Sequence, residues 1–124
     1  MRLKRSRVRT YFHKTRTVKK DNEGSTYEEY GNATSFQGEV WPASGKVQAA
    51  MYGDKLSYIR NIKIAGKYEM VTDSNGKVHY VYPGGPDITE SDGLCLYVAE
   101  NNDPDYKIIS IKPYQPLRLE AERL

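Results

Sequence analysis

Short runs of alternating apolar and polar residues, broken by Gly, Pro and Asx clusters about every ten residues, run through most of the chain. That rhythm predicts a small β-barrel or sandwich of about six to eight short antiparallel strands. Val8 to Val18 reads as a first strand. Its many charges place it at an edge or in an arm, where Lys and Arg discourage wrong pairing. Asp21 to Ser35 is polar and glycine-bearing and reads as a long loop, with Tyr27-Glu28-Glu29-Tyr30 as a short ordered centre. Phe36, Gly38 and Val40 alternate with Gln37, Glu39 and Trp41, and Pro42 ends that strand. Lys46 to Met51 continues as a strand after the Ala43-Ser44-Gly45 turn. Leu56 to Ile64 follows, with 3-4 spacing that also allows a short helix at its start.

The second half is more regular. Residues 67–73 and 77–82 flank Asn75-Gly76, the strongest hairpin signal in the chain, because both residues tolerate positive φ in a tight primed turn. Pro83-Gly84-Gly85-Pro86 is a hard stop. Leu94 to Ala99 is the most apolar strand, and Tyr106 to Lys112 is the next, with either Ile109 and Ile111 or Ile108 and Tyr106 inward. Leu117 to Leu124 closes the chain as a charged edge strand or short helix. The whole, 1–124, reads as one domain: a basic arm or edge strand over 1–20, a polar loop over 21–35 and a β-barrel body over 36–124.

Composition agrees with an all-β reading. Eleven Tyr and many Val and Ile favour a pleated, half-buried surface, and apolar content is only 38%, which leaves a monomer little to bury. Charge is uneven. Residues 1–20 hold nine cations (Arg2, Lys4, Arg5, Arg7, Arg9, Lys14, Arg16, Lys19, Lys20) and no acid, leaving ten basic against sixteen acidic residues beyond them, net −6. A basic arm on an acidic body has two natural partners, a neighbouring copy of the body or nucleic acid, and salt weakens both attractions. No run is long enough for a membrane helix and no apolar stretch follows the N-terminal charges, so a protein of the cytoplasm is expected, without membrane contact. The single Cys95 sits in an apolar run and reads as core.

Chemistry is sparse. Ser44-Gly45-Lys46 resembles the end of a phosphate loop, but the preceding glycine is seven rather than five residues back and Val47 stands where Ser or Thr must hold magnesium. His13 and His79 have no ligand at metal spacing, and His79 reads as a structural imidazole. The acids between Asp87 and Asp105 lack the spacing of a calcium loop and read as solvated turn residues. No nucleophile, base and acid come together, so neither an enzyme nor a cofactor or metal is expected. Arg7 to Arg16 with Tyr11 and Phe12 carries a weak interleaving of cations and aromatics, which keeps a small single-stranded nucleic-acid-binding barrel as the alternative.

The string Gly38-Glu39-Val40-Trp41-Pro42-Ala43-Ser44-Gly45-Lys46 through Tyr52-Gly53-Asp54-Lys55-Leu56-Ser57-Tyr58-Ile59 resembles the minor capsid and head-closure ("stopper") connector proteins of long-tailed bacteriophages and prophages. Asp92-Gly93-Leu94 and the run from Pro104 to Ile111 are similar to their second half. The resemblance implies a β-barrel in the neck of the virion, made in a bacterial cytoplasm and assembled as a closed ring of about twelve copies. It would sit between the portal or adaptor protein and the tail terminator or tube, helping retain packaged DNA. On that reading Trp41, Pro42, Gly45 and Gly53 set a barrel corner. The basic arm contacts a neighbouring subunit or DNA, and the loop around Tyr27, Glu28, Glu29 and Tyr30 faces the channel or an interface.

Overall fold

A computed structural model describes residues 7–124. Arg2, Lys4 and Arg5 of the basic arm lie outside the described residues. Six antiparallel strands close into a barrel, in the order β1 (Arg9–Lys14), β4 (Thr34–Pro42), β5 (Ile59–Ile64), β11 (Leu117–Arg123), β10 (Tyr106–Lys112), β9 (Gly93–Cys95) and back to β1. The all-β barrel expectation holds. Two smaller sheets are inserted: β2 (Arg16–Lys20) with β3 (Thr26–Tyr30), and β6 (Glu69–Thr72), β7 (Val78–Val81) and β8 (Asp87–Ile88).

The core follows strand parity. Phe36, Ile62, Ile64, Leu94, Ile108, Leu117, Leu119 and Ala121 are buried inside the barrel, and Tyr80, Tyr82 and Ile88 of the three-stranded sheet join the same cluster. Closure removes the sheet edges that an open sheet of this size leaves for aggregation. In β10 the register shifts between Ile108 and Ser110. That bulge lets Tyr106 and Ile108 point inward on one parity and Ile111 on the other, so both sequence alternatives hold in part.

Several expectations are corrected. The first strand is no edge: β1 pairs with β4 on one side and β9 on the other. Residues 21–35 are not one long loop: β3 occupies 26–30 and β4 begins at Thr34, leaving a turn at 21–25 and a short link at 31–33. Lys46–Tyr52 is helix α1, with Gln48 and Tyr52 as its half-buried face. Ala49, Ala50, Gln48 and Met51 are good helix formers, and their propensity outweighs a weak alternation. A 3-10 turn covers Gly53–Tyr58 before β5 begins. The strand expected over 94–99 stops at Cys95, since the Asp105 carboxylate takes the Leu96 and Tyr97 N–H groups at 2.8 and 3.0 Å. The C-terminal segment is a central strand, β11, between β5 and β10. Only Gly76 of Asn75-Gly76 has positive φ (81°), and Asp73 Oδ1 accepts the Asn75 and Lys77 N–H groups, giving a wider loop than a two-residue turn.

Candidate functional site

Strand direction sends both insertions out of one end of the barrel. β1 ends and β4 begins there, as β5 ends and β9 begins, so the β2–β3 hairpin and the β6–β7–β8 sheet leave side by side. The opposite end carries α1, the 3-10 turn and the 96–105 connection.

The β2–β3 hairpin holds four of the predicted arm and loop residues in charge pairs. Arg16 Nε donates to Glu28 at 2.7 Å and Lys19 Nζ lies 2.7 Å from Glu29. The Arg16 hydrogen bond holds the Glu28 carboxyl below its ordinary range, and the Glu29 hydrogen bond raises Lys19. Its turn is fixed by Asp21 Oδ1, which accepts from Glu23 and Ser25, with Gly24 at φ 86°. No residue of either strand is buried, and Val18 and Tyr27 remain 51% and 43% exposed. Tyr30 packs toward the barrel, where a Cβ on Gly93 would lie 2.9 Å from its ring and 2.4 Å from Pro104. Lys14, the last residue of β1, donates to the Asn102 carbonyl at 2.6 Å, and Lys20 ends β2 in solvent.

At the hairpin base a buried pair ties the chain together. His13 Nε2 donates to Asp92 Oδ2 at 2.8 Å, and the side chains are 2% and 1% exposed. Asp92 also accepts the Arg16 and Thr89 N–H groups at 3.1 and 2.9 Å. Burial pushes Asp92 up, but the His13 hydrogen bond and charge and the two N–H donors outweigh it and hold the carboxyl low. Asp92 and Asp105 are therefore structural acceptors rather than solvated turn acids. Asp87 likewise meets His79: Asp73 and Asp87 accept from the two ring nitrogens, each at 2.8 Å, and raise its pKa.

The outer wall of β4, β5, β11 and β10 was not singled out from sequence. Trp41, Asn61, Glu120 and Ser110 lie in one cross-strand row, and Glu39, Lys63, Arg118 and Lys112 in the next. Lys63 and Arg118 lie 5.4 and 5.5 Å from the Trp41 ring centroid. Asn61 and the nearly buried Glu120 are covered by α1, whose Gln48 donates to both at 2.7 Å. Burial raises Glu120, but Gln48, the Lys112 charge and the Tyr52 hydroxyl hold it below its ordinary range. Tyr52 is itself pushed up to about 12 by burial and the Glu120 charge. Of the residues expected at a barrel corner, Trp41 and Pro42 end β4, while Gly45 and Gly53 flank α1 with φ of 90° and 54°. The signal for the wall was present: Ile62-Lys63-Ile64 and Leu117-Arg118-Leu119 set a cation between two inward residues on each of two paired strands.

Both His79 nitrogens lie 2.8 Å from carboxylates, which favour the protonated ring. Burial raises the Cys95 thiol, which disfavours the nucleophilic thiolate. Among the described residues, no three His, Cys, Asp or Glu side chains converge as a metal site, and no helix is long and apolar enough to cross a membrane. No family model, curated protein or solved structure matches the chain.

Proposed function

We propose that this protein is a structural head–tail connector of a tailed phage or phage-like particle, acting in head closure as a ring subunit. The observation that carries the reading is the pair of insertions leaving one end of a closed barrel, one of them burying none of its own residues. A barrel that satisfies its own edges has no need of such a hairpin for folding, and the ordering of exposed strands is offset most simply by a neighbour that covers them. The resemblance over 38–59 and 92–111 supplies the class of assembly. Copies would meet through the β2–β3 hairpin, with portal or adaptor on one face and tail on the other.

Imaging of the tailed particle tests this. The reading requires density for the protein at the head–tail junction, and density elsewhere ends it. Replacing 17–29 by a short Gly-Ser turn should leave a folded monomeric barrel that no longer enters particles. The alternative, a free barrel stacking single-stranded bases on its Tyr-rich strands, has less support: Tyr80, Tyr82 and Tyr106 are 8%, 7% and 2% exposed and their rings serve the core.

A further inference from the structure

We propose that the outer wall of β4, β5, β11 and β10 binds the phosphodiester backbone of nucleic acid without reading its sequence. Lys63 is registered directly opposite Arg118, and Arg118 directly opposite Lys112, so three cations stand side by side on three adjacent strands. Like charges in that relation destabilise a sheet. Glu120, at 3.4 Å, is spent on Lys112. Lys63 and Arg118 form no ion pair among the described residues and rest against the Trp41 ring, which carries no net charge. The row therefore keeps a positive field over two strand spacings, about 10 Å.

The field continues around the wall. A groove of 720 Å³ runs from Lys63 and Trp41 past Glu39 to Arg7 and Arg9. Glu39, the carboxylate in that groove, has Arg7 3.5 Å away. Lys63, Arg118, Lys112 and Arg7 thus face two carboxylates, each of which already has a cationic neighbour. A line of cations flanked by a single exposed aliphatic, Val47, which lines the same groove as Lys112 and Arg118, suits a polyanion of repeating charge better than a protein patch, which needs apolar anchors at its centre. The other exposed aliphatic side chains, Val18, Met51, Met70, Val71 and Leu124, are not among the residues lining the grooves at this row. Because two cations already lie against Trp41, the wall holds phosphates and does not stack bases. Duplex DNA, with its denser charge, should bind at least as tightly as single strands.

This inference does not rest on the connector reading: a free protein would bind in the same way, and particle imaging would not change the result. The test is fluorescence anisotropy of the full chain with labelled duplex and single-stranded oligonucleotides between about 50 and 200 mM salt. Wild type should bind both, with affinity falling steeply with salt. K63Q/R118Q, checked for an unchanged melt, should lose about tenfold or more at low salt and lower the log–log salt slope by about 2. A variant with Arg2, Lys4 and Arg5 changed to Gln should lose less. If K63Q/R118Q does not fold, K112Q should reduce the slope by about 1. Absence of wild-type binding at low salt, unchanged affinity in the wall variants, or loss confined to the arm variant would each overturn the proposal. So would a wall variant that abolishes self-association while keeping its affinity for DNA.

Discussion

The two insertions leave the same barrel end and are held in opposite ways. The β6–β7–β8 sheet sends Tyr80, Tyr82 and Ile88 into the barrel core, where Tyr68 packs 5.9 and 5.7 Å from the two tyrosine rings. The β2–β3 hairpin sends nothing into it and is joined to the barrel by Tyr30 and by the Arg16 N–H on Asp92. One is an extension of the core and should unfold with it. The other is a local unit whose opening should have little effect on global stability.

The largest effect should come from Asp92, which serves both sides of that contrast. Asp92→Ala leaves the His13 ring and two N–H groups without their buried acceptor and should cost about 3 to 5 kcal/mol, read by urea unfolding. The barrel should lose stability and the hairpin its anchor together. A loss confined to hairpin amides, with the barrel midpoint unchanged, would show that the pair serves the hairpin alone.

Next comes Ile88, fully buried at the sheet–barrel junction. Ile88→Ala should cost about 2 to 5 kcal/mol of global stability. Its transition should remain single by fluorescence and circular dichroism, because sheet and barrel share one core. Two separated transitions would mean that the β6–β7–β8 sheet is as independent as the β2–β3 hairpin.

A pH dependence should mark the same sheet more weakly. The His79 pKa is raised above its ordinary 6.5 by Asp73 first and Asp87 second. Its contribution is complete below 6.5 and is lost as pH rises through the folded value. The Asp73 pKa is lowered from 3.8, first by the His79 hydrogen bond, so its contribution is complete above 3.8 and is lost as pH falls. The β6–β7 hairpin should be best protected from amide exchange between about pH 4 and 6.5. His79→Gln should remove the loss on the alkaline side, and a His79 titration by NMR below the ordinary value would contradict the clamp.

The contrast between the insertions also explains what the sequence made legible. Strands with a face on the core showed themselves: the segments read as 36–42, 56–64, 77–82 and 106–112 fall on β4, β5, β7 and β10, although a 3-10 turn takes the start of the second and a bulge breaks the alternation of the last. The β2–β3 hairpin has no buried face, so Thr26–Tyr30 carries no alternation and reads as a loop, although its charge pairs define it well. Residues 46–51 misled in the other direction, since a two-residue period can be found in any mixed run and the Ala-rich composition was the better guide. Asp92, Glu120 and the cation row were hidden for a different reason. Each depends on a partner 76 to 79, 72, or 55 residues away, a relation that only strand register establishes.

The smallest effect should come from the hairpin's own charge pairs. Lys19 and Glu29 meet at 2.7 Å on side chains 51% and 48% exposed. Such a pair gains little in water and restricts two long side chains. Lys19→Ala with Glu29→Ala should leave the melting midpoint of the barrel where it was, while amides of β2 and β3 exchange faster and those of β7 do not. Salt added to the unmodified protein should produce the same selective acceleration by screening Lys19–Glu29 and Arg16–Glu28 together. A shift of the barrel midpoint in either experiment would mean that the hairpin belongs to the core's cooperative unit. The hairpin would then need no neighbour to cover it.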